Sequence, residues 1–380
     1  MSDWQPLLEL VGSGPRENGT EALREATLAF AETLRAAGLN PEILSYLAHP
    51  LRLRLAGVLV LIGSLLYSLL LARGRRAVAL LIAITLPVLV LADLDFYIPL
   101  FSWIGATPAE HIEIRLSVPE ATRHLLLVAH LDSKTDLLDH VQRAPIEILA
   151  VPVSLLMIGV AAFGNRRPWL RKAALWLAPL YGIGTFLSLT GGAFVSQRSH
   201  GALDDGTACA LLARLGGKLR AAPLEQTDVT LLFVSGEEVG VHGSWVYADS
   251  RFATKPAIPT AVLNFEFIGA APDFGVFGKE AFSTSRYPAD PALLAIADRV
   301  HLRQRGKPIY VTWFGAATDA RSFLAHGIPA LTVFSDPPGH PLPRELHSAE
   351  DTLSRVDPSS MDSALAYVEA LVREIDSSGF

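Results

Sequence analysis

Four stretches of the chain run without Asp, Glu, Lys or Arg: residues 55–72, 77–92, 148–164 and 173–195. Each approaches the roughly 20 apolar residues needed to cross a bilayer core, so the pattern predicts four spanning helices in two hairpins. The second run is short and ends at Asp93 and Asp95. It must borrow from the FYIPLFSW stretch that follows or tilt, with the aromatic residues near the interface. Pro87, Pro152 and Pro179 interrupt three of the runs, which spanning helices tolerate where neighbours satisfy the freed carbonyl. The competing reading is buried helices of a large soluble core. The first fifty residues are polar and amphipathic, without the apolar region of a cleavable signal.

Elsewhere the apolar runs are shorter. LLLVAH, VTLLFVSG, TAVLNFEF and IPALTVFS read as buried strands, and residues 21–39, 207–219, 291–301 and 360–375 as helices with one apolar face. Together they predict one α/β domain, a mixed and mostly parallel sheet with helices on both faces, interrupted twice by membrane hairpins. The boundaries follow: 1–50, 105–144 and 198–380 belong to the α/β domain, 51–104 and 145–197 to the hairpins. Residues 303–317, with Tyr310, Trp313 and Phe314, read as core or as pocket wall. Both hairpins must leave and re-enter the bilayer on the same side, which itself demands an even number of spans.

Composition sharpens this picture. Of 380 residues 50% are hydrophobic, and the mean hydropathy of +0.34 is high for a soluble enzyme. A net charge of −6 gives no reason to expect nucleic acid. Cys209 is the only cysteine, which excludes a disulfide within one chain and a zinc site built on thiolates. Arg73, Arg75 and Arg76 sit at the tip of one hairpin, and Arg166, Arg167, Arg171 and Lys172 at the tip of the other. The positive-inside tendency places these tips in the cytoplasm and the α/β domain outside it, although Arg52, Arg54, Arg143 and Arg198 lie at the opposite ends.

Five phrases carry the polar residues that matter, and three of them follow apolar runs that read as buried strands, so those residues sit where a strand ends, the usual ligand position in an open α/β sheet. His130 and Asp132 lie in LLLVAHLDSK, Asp204 in GALDDG, Glu237 and Glu238 in LLFVSGEEVGVHGS, Glu266 in VLNFEFIGA, and His347 in ELHSAEDT. Imidazole and carboxylate suit zinc and its neighbours, and this set suggests two divalent ions sharing one carboxylate. Each residue has a plainer reading in isolation: a solvated pair for Glu237-Glu238, a turn or helix cap for Asp204-Asp205, a loop histidine for His347. His124, His200, His242 and His340 read as structural or solvent-facing.

The order of these phrases resembles the di-zinc aminopeptidase family, which also contains glutamate carboxypeptidase and the glutaminyl cyclases. The resemblance extends to GPRENGT upstream and TDARSFLAHGIPAL downstream, covering nearly everything outside the hairpins. It implies that His130 and Glu266 ligate one zinc and Glu238 and His347 another. Asp204 would bridge the two, and Glu237 would be the general base. It further implies that Asp132 orients His130, that Asp319 and Asp351 fix loops, and that the Asp204–Asp205 bond is cis. Two departures stand out: Glu266 replaces the usual aspartate, adding a methylene that must fold back or move the metal, and GTAC replaces Asn-Ala-Ser-Gly after Asp205.

What the resemblance implies is a membrane-bound exopeptidase, an aminopeptidase acting on short peptides. The alternatives are a glutaminyl cyclase-like acyltransferase, suggested by Asp132-Ser133-Lys134, and a catalytically silent membrane scaffold with Glu266 spoiling one site. The expected partners are a peptide substrate and the lipid bilayer; oligomeric state is left open. Only residues 196–203 separate the fourth run from Asp204. At about 3.3–3.6 Å per extended residue, this predicts a site close to the bilayer surface.

Overall fold

The computed structural model describes residues 4–164, 167–195, 198–282, 284–313, 316–336, 339 and 343–380. Arg166, Phe314 and His340 lie outside the described residues. The chain divides into two compact units, Met1–Ala48 with Thr107–Lys134 and Arg198–Phe380, and His49–Ala106 with Thr135–Gln197.

Along the chain run α1 (Gln5–Gly12), α2 (Glu21–Ala36), β1 (Glu42–Ala48), α3 (Arg52–Ala72), α4 (Arg76–Leu94), β2 (Thr107–Leu116) and β3 (Arg123–His130). Next come α5 (His140–Phe163), α6 (Pro168–Thr190), α7 (Thr207–Ala221), β4 (Thr227–Val234), α8 (His242–Phe252) and β5 (Thr260–Glu266). The remainder comprises β6 (Phe274–Phe277), β7 (Lys279–Phe282), β8 (Ser285–Pro288), α9 (Pro291–Arg305), β9 (Tyr310–Thr312), α10 (Asp319–Ala325), β10 (Ala330–Ser335) and α11 (Pro358–Ser378).

The first unit is built on an eight-stranded sheet of order β1-β2-β4-β3-β5-β10-β6-β9. The central strands β4, β3, β5 and β10 are parallel, and β1, β2 and β6 pair antiparallel to their inner neighbours. The central strands read as unbroken apolar runs because both faces are covered. Leu125, Leu127 and Ala129 pack in a core with α2, α7, α9 and α11, while Leu126 and Val128 pack in a second core with α8 and α10. This is the mixed α/β architecture that the sequence pattern predicts. The antiparallel strands β1, β2 and β6 are not signalled by apolar runs; Glu42–Ala48 mostly alternates between exposed and half-buried positions. Tyr310 and Trp313 are exposed, whereas Ile309 beside them is buried in the core.

The second unit is a bundle of α3, α4, α5 and α6, all four long and apolar enough to cross a membrane. Glycine lets α3 and α6 pack closely: a Cβ on Gly182 would meet the Ser64 Cβ at 2.8 Å, and one on Gly57 the Thr190 Oγ1 at 2.5 Å. Pro87, Pro152 and Pro179 all lie inside helices. The FYIPLFSW stretch does not extend α4, which ends at Leu94; Asp93 accepts hydrogen bonds from the Phe101 and Ser102 amides and folds the chain back. At the tips, Arg76 donates to the carbonyls of Ala161 and Ala162 at the end of α5, and Arg171 to those of Leu71 and Ala72 at the end of α3. Each hairpin thus caps a helix of the other with a cation, the charge favoured at a helix C-terminus.

Candidate metal centre

Strand order assembles the site. With β3 between β4 and β5, the segments leaving their C-terminal ends are neighbours, and these carry His130, Glu237-Glu238 and Glu266. Asp204 lies in the short turn Ala202–Gly206 preceding α7, and its bond to Asp205 is cis. His347 is held at φ +60°, in the left-handed region that non-glycine residues seldom occupy.

The five side chains converge. Asp204 presents one oxygen to each histidine: Oδ1 lies 3.1 Å from His130 Nε2 and Oδ2 3.0 Å from His347 Nε2. Glu238 Oε2 is 3.1 Å from His347 Nε2, and Glu266 Oε2 is 3.7 Å from His130 Nε2. These spacings bracket the edge of a tetrahedron with 2.0–2.1 Å zinc bonds, about 3.3 Å. The extra methylene of Glu266 is absorbed by folding back, its Oε1 accepting from Asn264 Nδ2 at 2.9 Å two residues earlier on the same strand face.

Electrostatics point the same way. Burial pushes the carboxyls of Asp205, Glu237 and Glu266 up from their ordinary range, with mutual repulsion adding to it. Burial also raises Asp319 to about 8 and Asp351 to about 7. Asp204 goes the other way: burial would raise it, but hydrogen bonds from both histidines hold it down. A pocket so rich in carboxylates must bind protons or cations. Glu238 Oε1 and Asp205 Oδ1 are buried without a hydrogen-bond partner among the described residues, which leaves them available as ligand atoms.

The surrounding residues fix this arrangement. His130 Nδ1 donates to the main-chain carbonyl of Asp132 at 2.9 Å, which turns Nε2 toward the acidic cluster. The Asp132 carboxylate also stands beside that imidazole, its Oδ1 3.8 Å from Nδ1. It accepts in addition from the amides of Gly236 (2.7 Å), Glu237 (3.3 Å) and Glu238 (3.2 Å), clasping the turn that carries both glutamates. Asp351 accepts from the amides of Leu203 and Asp204 and fixes the Asp204 turn.

Three further residues outside the proposed ligand set bear on the centre. Asp205 accepts from the His130 amide at 3.2 Å, and it forms a second possible ligand group with His130 and Glu266. Lys134 brings an ammonium to 4.0 Å from Glu238. Arg16 is buried and donates to four carbonyls: Leu131 (2.9 Å), Gly14 (3.0 Å), His200 (2.7 Å) and Gly201 (3.0 Å). It thereby ties the strand end after His130 to the approach to Asp204. Its presence in the GPRENGT phrase was the available clue. Of the other histidines, His124 bonds Thr230 Oγ1 at 2.8 Å and His242 is buried.

An open α/β sheet with histidines and carboxylates gathered at its strand ends defines a metal-binding hydrolase-like site. The chain belongs to Peptidase family M28, which residues 114–372 match. The fold is shared with Fimbriiglobus ruber glutaminyl cyclase, at TM-score 0.56 and 12% identity over 98% of this chain and 93% of that one. It is shared also with the Legionella pneumophila LapA aminopeptidase, at TM-score 0.54 and 12% identity over 100% of this chain and 71% of that one. Against an aminopeptidase from Aneurinibacillus sp. strain AM-1 the TM-score is 0.44 and the identity 16%, with 70% of this chain covered and only 48% of that one. No curated protein matches by sequence.

Proposed function

We propose that this chain is a membrane-embedded zinc aminopeptidase that removes N-terminal residues from short peptides. The observation that carries the reading is Asp204, whose two oxygens face His130 and His347 at 3.1 and 3.0 Å, the disposition of a carboxylate shared by two ions. His130 and Glu266 would complete one metal site, Glu238 and His347 the other. Bound divalent ions acidify a coordinated water and polarise the scissile carbonyl.

The chain's own groups do the rest. Glu237, on the turn clasped by Asp132, accepts the water's proton and passes it to the leaving amine. The excess of carboxylates attracts a free α-ammonium, which favours an exopeptidase. The length and apolar composition of α3 to α6 support the reading that these helices cross the bilayer. With Arg76 and Arg171 capping helices at one end of the bundle, both tips face one side, the cytoplasm by the charge rule, and the peptidase unit the other.

A glutaminyl cyclase-like reaction is the second reading, favoured by Asp132-Ser133-Lys134 beside His130. A silent scaffold fits less well, since Glu266 faces His130 rather than turning away. Metal analysis of the purified protein, combined with a panel of peptides that includes N-terminal glutamine, tests all three. Release of the N-terminal residue with two zinc per chain is expected. Cyclisation with ammonia release would favour the second reading, and a metal-loaded protein inert on the whole panel the third.

A further inference from the structure

Lys134 introduces a positive charge into an acidic cluster. Its Nζ lies 4.0 Å from Glu238 Oε2, and its side chain is only 18% exposed. The main chain beneath it is anchored: Ser133 exchanges two hydrogen bonds with Arg16, each at 2.9 Å, and donates its hydroxyl to the Ser199 carbonyl at 3.3 Å. The ammonium is therefore held beside one end of the ligand set, on the side of Glu238 and His347.

Where the carboxylates attract a substrate's amino terminus, this ammonium attracts the opposite charge. In a dipeptide the terminal carboxylate carbon is two bonds from the leaving nitrogen, about 2.5 Å away, so it stays within a few ångströms of the reacting carbonyl. A longer peptide, or one blocked as an amide, places a neutral group there. With Nζ 4.0 Å from Glu238, a proposed metal ligand, the ammonium lies near the reacting carbonyl of a bound peptide, on the scale of the residue just after the scissile bond.

We propose that Lys134 is a specificity-determining residue, pairing with the free carboxylate of dipeptides and selecting them over longer or C-terminally blocked peptides. This rests on the aminopeptidase reading and narrows its substrate class.

The test compares leucyl-leucine with its C-terminal amide, using the full-length protein in detergent with its metal content measured. Wild type is expected to favour the dipeptide by about tenfold in kcat/KM, the scale of one charge-assisted pair. Lys134→Met should raise KM for the dipeptide far more than for the amide, with bound metal measured for each variant so that any change at Glu238 is read separately. Lys134→Arg should keep part of the preference. Equal loss on both substrates, or an undiminished preference in Lys134→Met, would overturn the proposal.

Binding separates this outcome from failure of the aminopeptidase reading. The two peptides are titrated calorimetrically into metal-loaded Glu237→Gln, with and without Lys134→Met. Discrimination that disappears with Lys134 upholds the proposal even if wild type hydrolyses neither peptide; equal binding of both peptides refutes it.

Discussion

Arg16→Met should destabilise the peptidase unit and loosen its metal centre together. The substitution keeps an unbranched apolar stem but removes four hydrogen bonds, to the carbonyls of Gly14, Leu131, His200 and Gly201. At about 1–1.5 kcal/mol net per bond these sum to roughly 4–6 kcal/mol. Part is returned because a buried guanidinium no longer has to be desolvated, so a net loss of about 2–4 kcal/mol is expected. For a domain of this size that corresponds to a fall in Tm of roughly 5–15 °C. Arg16→Lys should recover less than half, since an ammonium lacks the planar fork that reaches four acceptors. The assay is thermal unfolding of the full-length protein in detergent, paired with zinc competition against a chelator. Zinc affinity should fall as well, because Leu131 adjoins His130 and Gly201 precedes Asp204. A variant melting within about 2 °C of wild type with unchanged zinc affinity would show that the clamp holds nothing.

Three further outcomes are expected. Glu237→Gln should retain bound metal and lose about 10²–10⁴-fold in turnover, because an amide cannot accept the water's proton; near-normal turnover with metal unchanged would remove it as the base. His111, whose Nδ1 accepts from the Ser235 amide, is pushed down to about 3 by burial. The unfolded chain protonates it below about pH 6.5 and the native state does not until about pH 3. Its stability contribution is thus complete above that window and lost as pH falls through it, by up to about 1.4 kcal/mol per pH unit. His111→Gln should flatten that part of the acid limb in a pH series of denaturation midpoints, and parallel curves would refute the assignment. Cysteines placed at the exposed Arg75 and Arg167 should label from one side of the membrane and one at exposed Lys255 from the other, with native Cys209 silent because it is buried; labelling of all three from one side would reject the topology.

The central sheet and the bundle were legible because burial on both faces writes itself as uninterrupted apolar runs. The five proposed ligands were legible because each sits in a recognisable local phrase, His130, Glu238 and Glu266 at or just after strand ends and Asp204 and His347 in loops. The antiparallel pair β1 and β2 was not, since Glu42–Ala48 and Thr107–Leu116 find each other only across an intervening hairpin. Nor could local sequence tell that the Asp132 carboxylate, besides standing near the imidazole two residues away, would bond three amides of the turn after β4, contacts made by long-range packing. Lys134 and Asn264 gained their roles similarly, from where a fold-wide arrangement delivers a single side chain.

The interleaving of the two units along the chain also orders events during synthesis. β1 cannot find β2 until α3 and α4 have emerged between them, and Arg16 cannot bind the carbonyls of His200 and Gly201 until α5 and α6 have been made. Because His130 leaves the ribosome before the second hairpin and Asp204 after it, the proposed ligand set cannot assemble on a chain that has not yet produced its apolar hairpins. On the proposed membrane reading, completion of the site becomes a record of membrane biogenesis, and a chain stalled at either hairpin is left without the full ligand set.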